Sequence, residues 1–321
     1  MRAPEFWQRD GVVPRLLAPA AAVYAAVTAR RVARPGWRAP VPVICCGNAT
    51  AGGAGKTTLA LELGARLAQG RPAFLTRGHG GRISGVHRVD PAHDSAALVG
   101  DEALLLAACA PTWVAADRQA GARAAVAAGA GLLIMDDGLQ NPGLVRDLSF
   151  LVVDGATGFG NGMVIPAGPL REPVAAAAAR CAAAVLIGPD CGGARAALPP
   201  GLPVLRARLE QQGVAELAGR RVFAFAGIGI PEKFFAGLRA AGAVLVGTAA
   251  FADHHPYTAA DIRRVLARAA AAEALPVTTP KDAVRLPAGL RACLRVAGVR
   301  LVWDDPHALD ALLAGVLEPA V

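Results

Sequence analysis

A chain of 321 residues, 54% of them apolar and with a net charge of +8 at pH 7, is long enough for one large or two medium domains and apolar enough to bury a sizeable core. A pI near 9.7 and a mean hydropathy of +0.40 suit an anionic partner: a membrane surface, a phosphorylated substrate or nucleic acid. The abundance of arginine and alanine also reflects a compositional bias, which halves the weight of the charge as functional evidence.

In chain order, Leu16, Leu17, Ala20, Val23, Tyr24 and Val27 recur at helical spacing, and Arg30, Arg31 and Arg34 follow. The apolar stretch 16–29 is shorter than the roughly 20 residues a bilayer span needs, and Arg15 and Pro19 interrupt it. A cleaved signal peptide, a helix packed on its own domain and a helix lying in a membrane interface all fit. The interfacial reading is the better supported, with arginines at the headgroups and Trp7 nearby. A cleaved signal peptide is the least supported of the three.

Next comes the stretch with the most information. An apolar, β-branched run (41–45) reads as a buried strand, breaks at Gly47 and turns through Gly52, Gly53 and Gly55 into a helix led by Lys56-Thr57-Thr58. Strand, glycine loop and a helix opening on Gly-Lys-Thr make a phosphate cradle, in which backbone N–H groups and the helix dipole face the anion. Lys56 would reach the β- and γ-phosphates and the Thr57 hydroxyl would bind Mg²⁺. Thr50 stands where the strict G-x-x-x-x-G-K-[ST] pattern has its first glycine. Thr50, Gly52, Gly53, Ala54, Gly55, Lys56, Thr57 and Thr58 are the candidate nucleotide contacts.

Beyond the cradle helix (57–69), strands are expected at 72–76, 112–116, 132–135, 148–153 and 183–187. Helices are expected at 103–109 and 120–128, and 175–184 reads as a helix or an alanine packing segment. Residues 77–82 form a basic, flexible loop, and 158–173 an irregular glycine- and proline-rich one. Alternating strands and helices predict an α/β fold with a mostly parallel sheet. Ligands of such sheets bind beyond the carboxyl ends of the strands. A proline- and glycine-rich stretch approaches a boundary near residue 210. This divides the chain into an N-terminal helix with a P-loop domain (1–210) and a smaller α/β domain (211–321). In the smaller domain strands are expected at 221–226, 242–247, 275–279 and 300–303, with helices at 231–240 and 258–272. Thr258 caps the last of these, with Asp261 at its third helical position.

Three acidic or histidine groups carry the remaining chemistry. Asp136-Asp137 follows a strand, where phosphoryl transfer needs a carboxylate for Mg²⁺; a simple Asp-Gly turn is the alternative. Asp101-Glu102 opens a helix, where the dipole accounts for one acid; the second argues for a metal ligand or a general base. His254, in FADHHPYT (251–258), sits between a strand and a capped helix, where it either orients a carboxylate base or lies in a surface turn. Six cysteines without a C-x-x-C pair, apart from the six histidines, read as buried free thiols in a reducing cytosol and argue against a zinc site.

Taken together, CGNATAGGAGKTT (46–58), TRGHGGR (76–82), GDEALLLA (100–107), DDGLQ…RDL (136–148), GNGMVIPAGPLREP (160–173), AFAGIGIPEKFF (224–235), FADHHPYT (251–258) and TTPKDAVRL (278–286) resemble the tetraacyldisaccharide 4'-kinase family, the lipid A 4'-kinases of Gram-negative bacteria. That family's loop also lacks the first glycine. The resemblance implies MgATP-dependent phosphorylation of the 4'-hydroxyl of a tetraacyldisaccharide 1-phosphate, giving the 4'-phosphorylated lipid. It also implies a peripheral enzyme on the cytoplasmic side of the inner membrane, with ATP and Mg²⁺ as cofactors. The lipid precursor would be its partner, with no nucleic acid and no obligate protein partner.

Carried over by position, Asp101 would be the base with His254 as its partner, while Lys56 and Asp137 act on the transferring group. Thr57, Glu102 and Asp137 would be the magnesium sphere. Paired strands near 204–209 and 296–303 would join the two domains. Arg77, Arg82, Arg118 and Arg171 are candidates for the substrate phosphate or ATP by charge and loop position. Asn141, His79 and Pro280 depart from the family pattern, which often has His, Tyr and Glu there. The rival function is a P-loop switch ATPase of the partitioning or metallochaperone type. Those often carry a lysine where Ala51 stands, and they need no apolar N-terminal helix. A binding protein with a vestigial ATP site is the third reading, disfavoured because Lys56, Thr57, Asp101, Asp137 and His254 are all present.

Overall fold

The run at 43–47 is the central strand of a nine-stranded sheet in the computed structural model, which describes residues 4–317. The strands are β1 (Val43–Gly47), β2 (Pro72–Thr76), β3 (Val86–Arg88), β4 (Thr112–Ala115), β5 (Leu132–Asp136), β6 (Leu148–Asp154), β7 (Ala183–Ile187), β8 (Val204–Gln212), β9 (Arg221–Ala226), β10 (Val244–Ala250), β11 (Leu275–Thr278), β12 (Arg295–Val296) and β13 (Gly298–Trp303). The helices are α1 (Val12–Val32), α2 (Lys56–Arg66), α3 (Ala96–Val99), α4 (Asp101–Ala107), α5 (Arg118–Ala127), α6 (Val174–Ala178), α7 (Ala194–Ala197), α8 (Pro231–Ala240), α9 (Ala259–Ala271), α10 (Pro280–Ala283), α11 (Ala288–Arg291) and α12 (Pro306–Leu317).

The large sheet runs β13-β8-β7-β6-β1-β5-β2-β4-β3. It is parallel from β8 to β4, with antiparallel strands β13 and β3 at its edges. Every residue of β1 is buried, as a strand covered on both faces must be. Its side chains alternate accordingly. Val43 and Cys45 join the core under α1, α5 and α6, and Ile44 and Cys46 join the core under α2, α4 and α12. The smaller sheet, β10-β9-β11-β12, is parallel throughout. There Val222 and Ala224 of β9 pack toward Phe234, Phe235 and Leu238 of α8. Phe223 and Phe225 pack toward Ile262 and Val265 of α9.

The chain leaves the large sheet through β8 and returns through β13, paired antiparallel with Leu209 opposite Leu301 and Ala207 opposite Trp303. The pairing starts at Gly298, because Arg295 and Val296 pair with β11 instead. After β13, Leu309 and Leu313 of α12 enter the core of the large sheet. The expected alanine helix at 175–184 is only α6, since Ala183 and Ala184 belong to β7. The strands β3 and β12 and the helices α3, α7, α10, α11 and α12 were not expected from the sequence.

Helix α1 is longer than the apolar stretch read from the sequence. It spans 21 residues with Pro19 inside it, and by length and composition it is long enough to cross a membrane. Pro14, Ala21 and Thr28 are buried, and Leu17 and Ala25 pack on the large sheet's core. The other face leaves Leu16 75%, Val23 66% and Val27 60% exposed. The thiols are free, but only Cys45 and Cys46 are buried; Cys109, Cys191 and Cys293 are exposed, because each lies at a turn or helix end.

Candidate active site

The cradle closes on the carboxyl end of β1. Gly55 precedes α2 with φ 89°, a left-handed conformation, and a Cβ there would lie 2.6 Å from Ile187 Cδ1, so glycine is required twice over. Asn48 is fully buried and its amide donates to Thr50 Oγ1 at 3.1 Å. The GPLREP segment braces the loop from outside. Ala51 N donates to Pro169 O, Arg171 N donates to Ala49 O, and Thr50 bridges Leu170. Two buried side chains lock this brace: Gln140 donates to Asn48 O at 2.9 Å and to Glu172 Oε1 at 2.8 Å, and Arg180 pairs with Glu172 at 2.7 Å.

The acidic pair at the end of β5 splits its duties. Thr57 Oγ1 donates to Asp136 Oδ2 at 2.9 Å, while Asp136 Oδ1 is buried without a partner among the described residues. Burial, with the Glu102 charge second, pushes the Asp136 carboxyl up to about 7. Asp137 takes a left-handed φ of 58°, which turns its side chain back over the cradle. There it lies 3.7 Å from Lys56 Nζ and 2.7 Å from Arg171 Nη1. Burial opposes its charge, but Lys56, Arg171 and Arg118 together hold its pKa below the ordinary value. Of the expected metal set, then, Thr57 meets Asp136, Asp137 faces cations, and Glu102 pairs with Lys281 Nζ at 3.1 Å.

A second group joins α4 beside the large sheet to residues of the small-sheet unit. Asp101 is 4% exposed, and its Oδ1 accepts from Glu102 N at 2.9 Å. Its Oδ2 lies 3.0 Å from His254 Nδ1 and 3.9 Å from Arg285 Nε, yet has no aligned hydrogen bond among the described residues. The histidine pair divides as its chemistry requires. The His254 side chain is 48% exposed, whereas His255 stacks on Phe251 with ring centroids 4.9 Å apart. Lys281 is desolvated, but the Glu102 and Asp101 charges more than compensate and raise its pKa.

Of the four arginines, Arg171 and Arg118 both act on Asp137, and Arg77 lies within charge range of Arg118. Arg171 is engaged by Asp137. Arg118 is 3% exposed, donates to Ala115 O and leaves Nε unpartnered among the described residues, and burial lowers its pKa. Arg77 and Arg82 are exposed on the loop that packs against Leu98. Asn141 serves a turn, accepting from Gly143 N at 2.9 Å, and Pro280 begins α10 at a position where proline is favoured. Sequence reasoning missed Asp136 as the partner of Thr57. It also missed Gln140, Glu172, Lys281 and Arg285, although each lies in a motif that was singled out.

A sequence profile described as tetraacyldisaccharide-1-P 4'-kinase matches residues 13–318. The chain belongs to this family. Among its relatives is the tetraacyldisaccharide 4'-kinase of Gluconacetobacter diazotrophicus, 62% identical over 100% of this chain and 99% of that protein. The Rhodospirillum centenum kinase is 57% identical over 99% of this chain and 97% of that protein. A crystal structure of LpxK from Aquifex aeolicus in complex with ATP superposes with a TM-score of 0.78 at 24% identity, covering 96% of this chain and 100% of that one. It shares the fold. The chain is therefore a kinase acting on a tetraacyldisaccharide 1-phosphate, and a switch ATPase is not favoured.

Proposed function

We propose that the cradle binds MgATP and that Asp101 takes the proton of the lipid's 4'-hydroxyl as the γ-phosphoryl group transfers. The observation that carries this is Asp101 Oδ2: a buried carboxylate oxygen 3.0 Å from His254 Nδ1 that makes no aligned hydrogen bond among the described residues. A sugar hydroxyl is a weak nucleophile, and a carboxylate helps by accepting its proton as the new O–P bond forms and the β–γ bridging P–O bond breaks. Lys56 and the backbone N–H groups of 52–58 stabilise charge on the phosphates.

The all-oxygen donor set of Thr57, Asp136, Asp137 and Glu102 suits Mg²⁺, which keeps several waters and takes few protein ligands. The orphaned Asp136 Oδ1 fits a cation. Thr57 with Asp136 would hold the ion, with Asp137 or Glu102 as further candidates, and when bound it neutralises the phosphate oxygens. Arg171 and Arg118 support the cradle side, and Arg77 and Arg82 are the exposed candidates for the lipid's 1-phosphate.

The exposed stripe of α1 lies in the interface of the cytoplasmic leaflet, where ATP is available, with Arg30, Arg31 and Arg34 at the headgroups. No nucleic acid or obligate protein partner is needed. We keep two units, with one refinement to the division near residue 210: residues 298–317 go with the P-loop unit, supported by the pairing of β13 with β8. The deciding experiment is incubation with labelled ATP and a tetraacyldisaccharide 1-phosphate. Label should pass to the lipid; ATP hydrolysis that ignores the lipid would sink the proposal.

A further inference from the structure

Asp282 is 0% exposed in the small sheet's core, an environment that a carboxylate tolerates only with full compensation. Four donors supply it. Gly227 N, Tyr257 OH and Arg285 Nη2 reach Oδ1 at 2.9, 2.8 and 2.9 Å, and Thr279 Oγ1 reaches Oδ2 at 2.5 Å. Two of these partners lead directly to the candidate base. Gly227 O accepts from His254 N at 3.1 Å, and from Arg285 Nη2 at 2.9 Å. A Cβ at Gly227 would lie 2.9 Å from both Tyr257 OH and Ala252 O, so no larger residue fits. This tie holds His254 at a φ of 56°, which a non-glycine residue adopts only when its surroundings impose it.

The second partner is Arg285. Its side chain is 5% exposed, its guanidinium lies over Tyr257, and its Nε donates to Lys281 O at 2.9 Å. The guanidinium therefore meets Asp101 Oδ2, 3.9 Å away, as a charge and not as a hydrogen-bond donor. It attracts the carboxylate and leaves its lone pair open.

We infer that Asp282 and Arg285 form a positioning unit, built into the small sheet, that sets His254 and a guanidinium against Asp101, so that the base is aligned only while the two sheets are docked. This rests on the reading of Asp101 as the base. Neither residue touches substrate in this scheme; both act through Asp101.

The test is steady-state kinetics on the full chain. Arg285→Gln should lower kcat roughly 10²-fold, the scale of a misplaced reacting group, with the KM for MgATP and for lipid unchanged within about two-fold. Arg285→Lys, which keeps the charge, should recover most of that loss. In an Asp101→Ala background, Arg285→Gln should cost nothing more, because the two act as a unit. Wild-type kcat in Arg285→Gln, or a loss that adds in full to that of Asp101→Ala, would overturn the inference. Should Arg285→Gln fail to fold, Tyr257→Phe removes one donor from Asp282 and keeps the guanidinium. A lower kcat at constant KM supports the unit, and an unchanged kcat overturns it. Wild-type turnover in Asp101→Ala would instead fail the base assignment and the inference with it, so the two failures are distinguishable.

Discussion

At the scale of single residues, the two adjacent aspartates at the end of β5 have opposite surroundings. Asp136 is buried on the Thr57 hydroxyl, and Asp137 is turned by its left-handed backbone onto Lys56 and Arg171. The sequence marks the pair but not which member meets the threonine, because a one-residue step at a strand end reverses the side chain's face. Thr57→Val and Asp136→Asn should each shrink the rise in Tm on adding MgATP, since ligand stabilisation scales with affinity. An unchanged rise would remove these two from the ion's sphere. Asp101→Ala should lower kcat about 10²–10⁴-fold, with MgATP binding, followed by titration, retained. Asp101 itself was legible in the Gly-Asp-Glu motif. Its neighbours Arg285 and Lys281 were not, because they lie about 180 positions along the chain and only the docked sheets bring them near.

At the scale of elements, long periodic segments were legible and short ones were not. Helix α9 starts where Thr258 and Asp261 signal it, and both halves of the capping box form. Thr258→Ala should cost about 1 kcal/mol in denaturant unfolding. Backbone and hydroxyl hydrogen bonds from Thr258 hold Asp261 at about 2, below its ordinary 3.8, with His255 and Arg264 also facing it. The folded pKa is depressed, so this contribution is present above the unfolded value and fades as pH falls from about 4 to about 2. Asp261→Asn should therefore show a shallower loss of Tm across that window; an identical acid limb would exclude the link. β3 and β12 escaped notice for a different reason. They are three and two residues long, and β12 is exposed throughout, so neither carries an alternation to read.

At the scale of the whole molecule, the chain's last described helix returns to its first core. Leu309 of α12 is fully buried in the large sheet's core. Leu309→Ala should therefore cost about 2–5 kcal/mol and weaken MgATP-linked stabilisation with it; a loss confined to the small sheet would separate α12 from the P-loop unit. The N-terminal helix faces two ways, with Ala21 on the protein and Leu16, Val23 and Val27 outside. Replacing those three by Gln should leave Tm nearly unchanged and abolish flotation with anionic vesicles, as burial of apolar area drives such binding. Undiminished flotation would rule out the stripe as the membrane contact.

By itself the sequence marked a nucleotide-phosphate site and the order of the parts, and the family resemblance of its spaced motifs implied the reaction. A glycine loop, a Gly-Lys-Thr helix start and strand-end carboxylates are local patterns, dictated by backbone geometry within a few residues. The tertiary structure alone decided which groups meet. It set Thr57 on Asp136, Arg285 beside Asp101, and Lys281 on Glu102. Those pairings depend on strand order and on β8 and β13 carrying the small sheet back against the large one. Such long-range contacts follow from how whole sheets pack, which no local run of residues encodes.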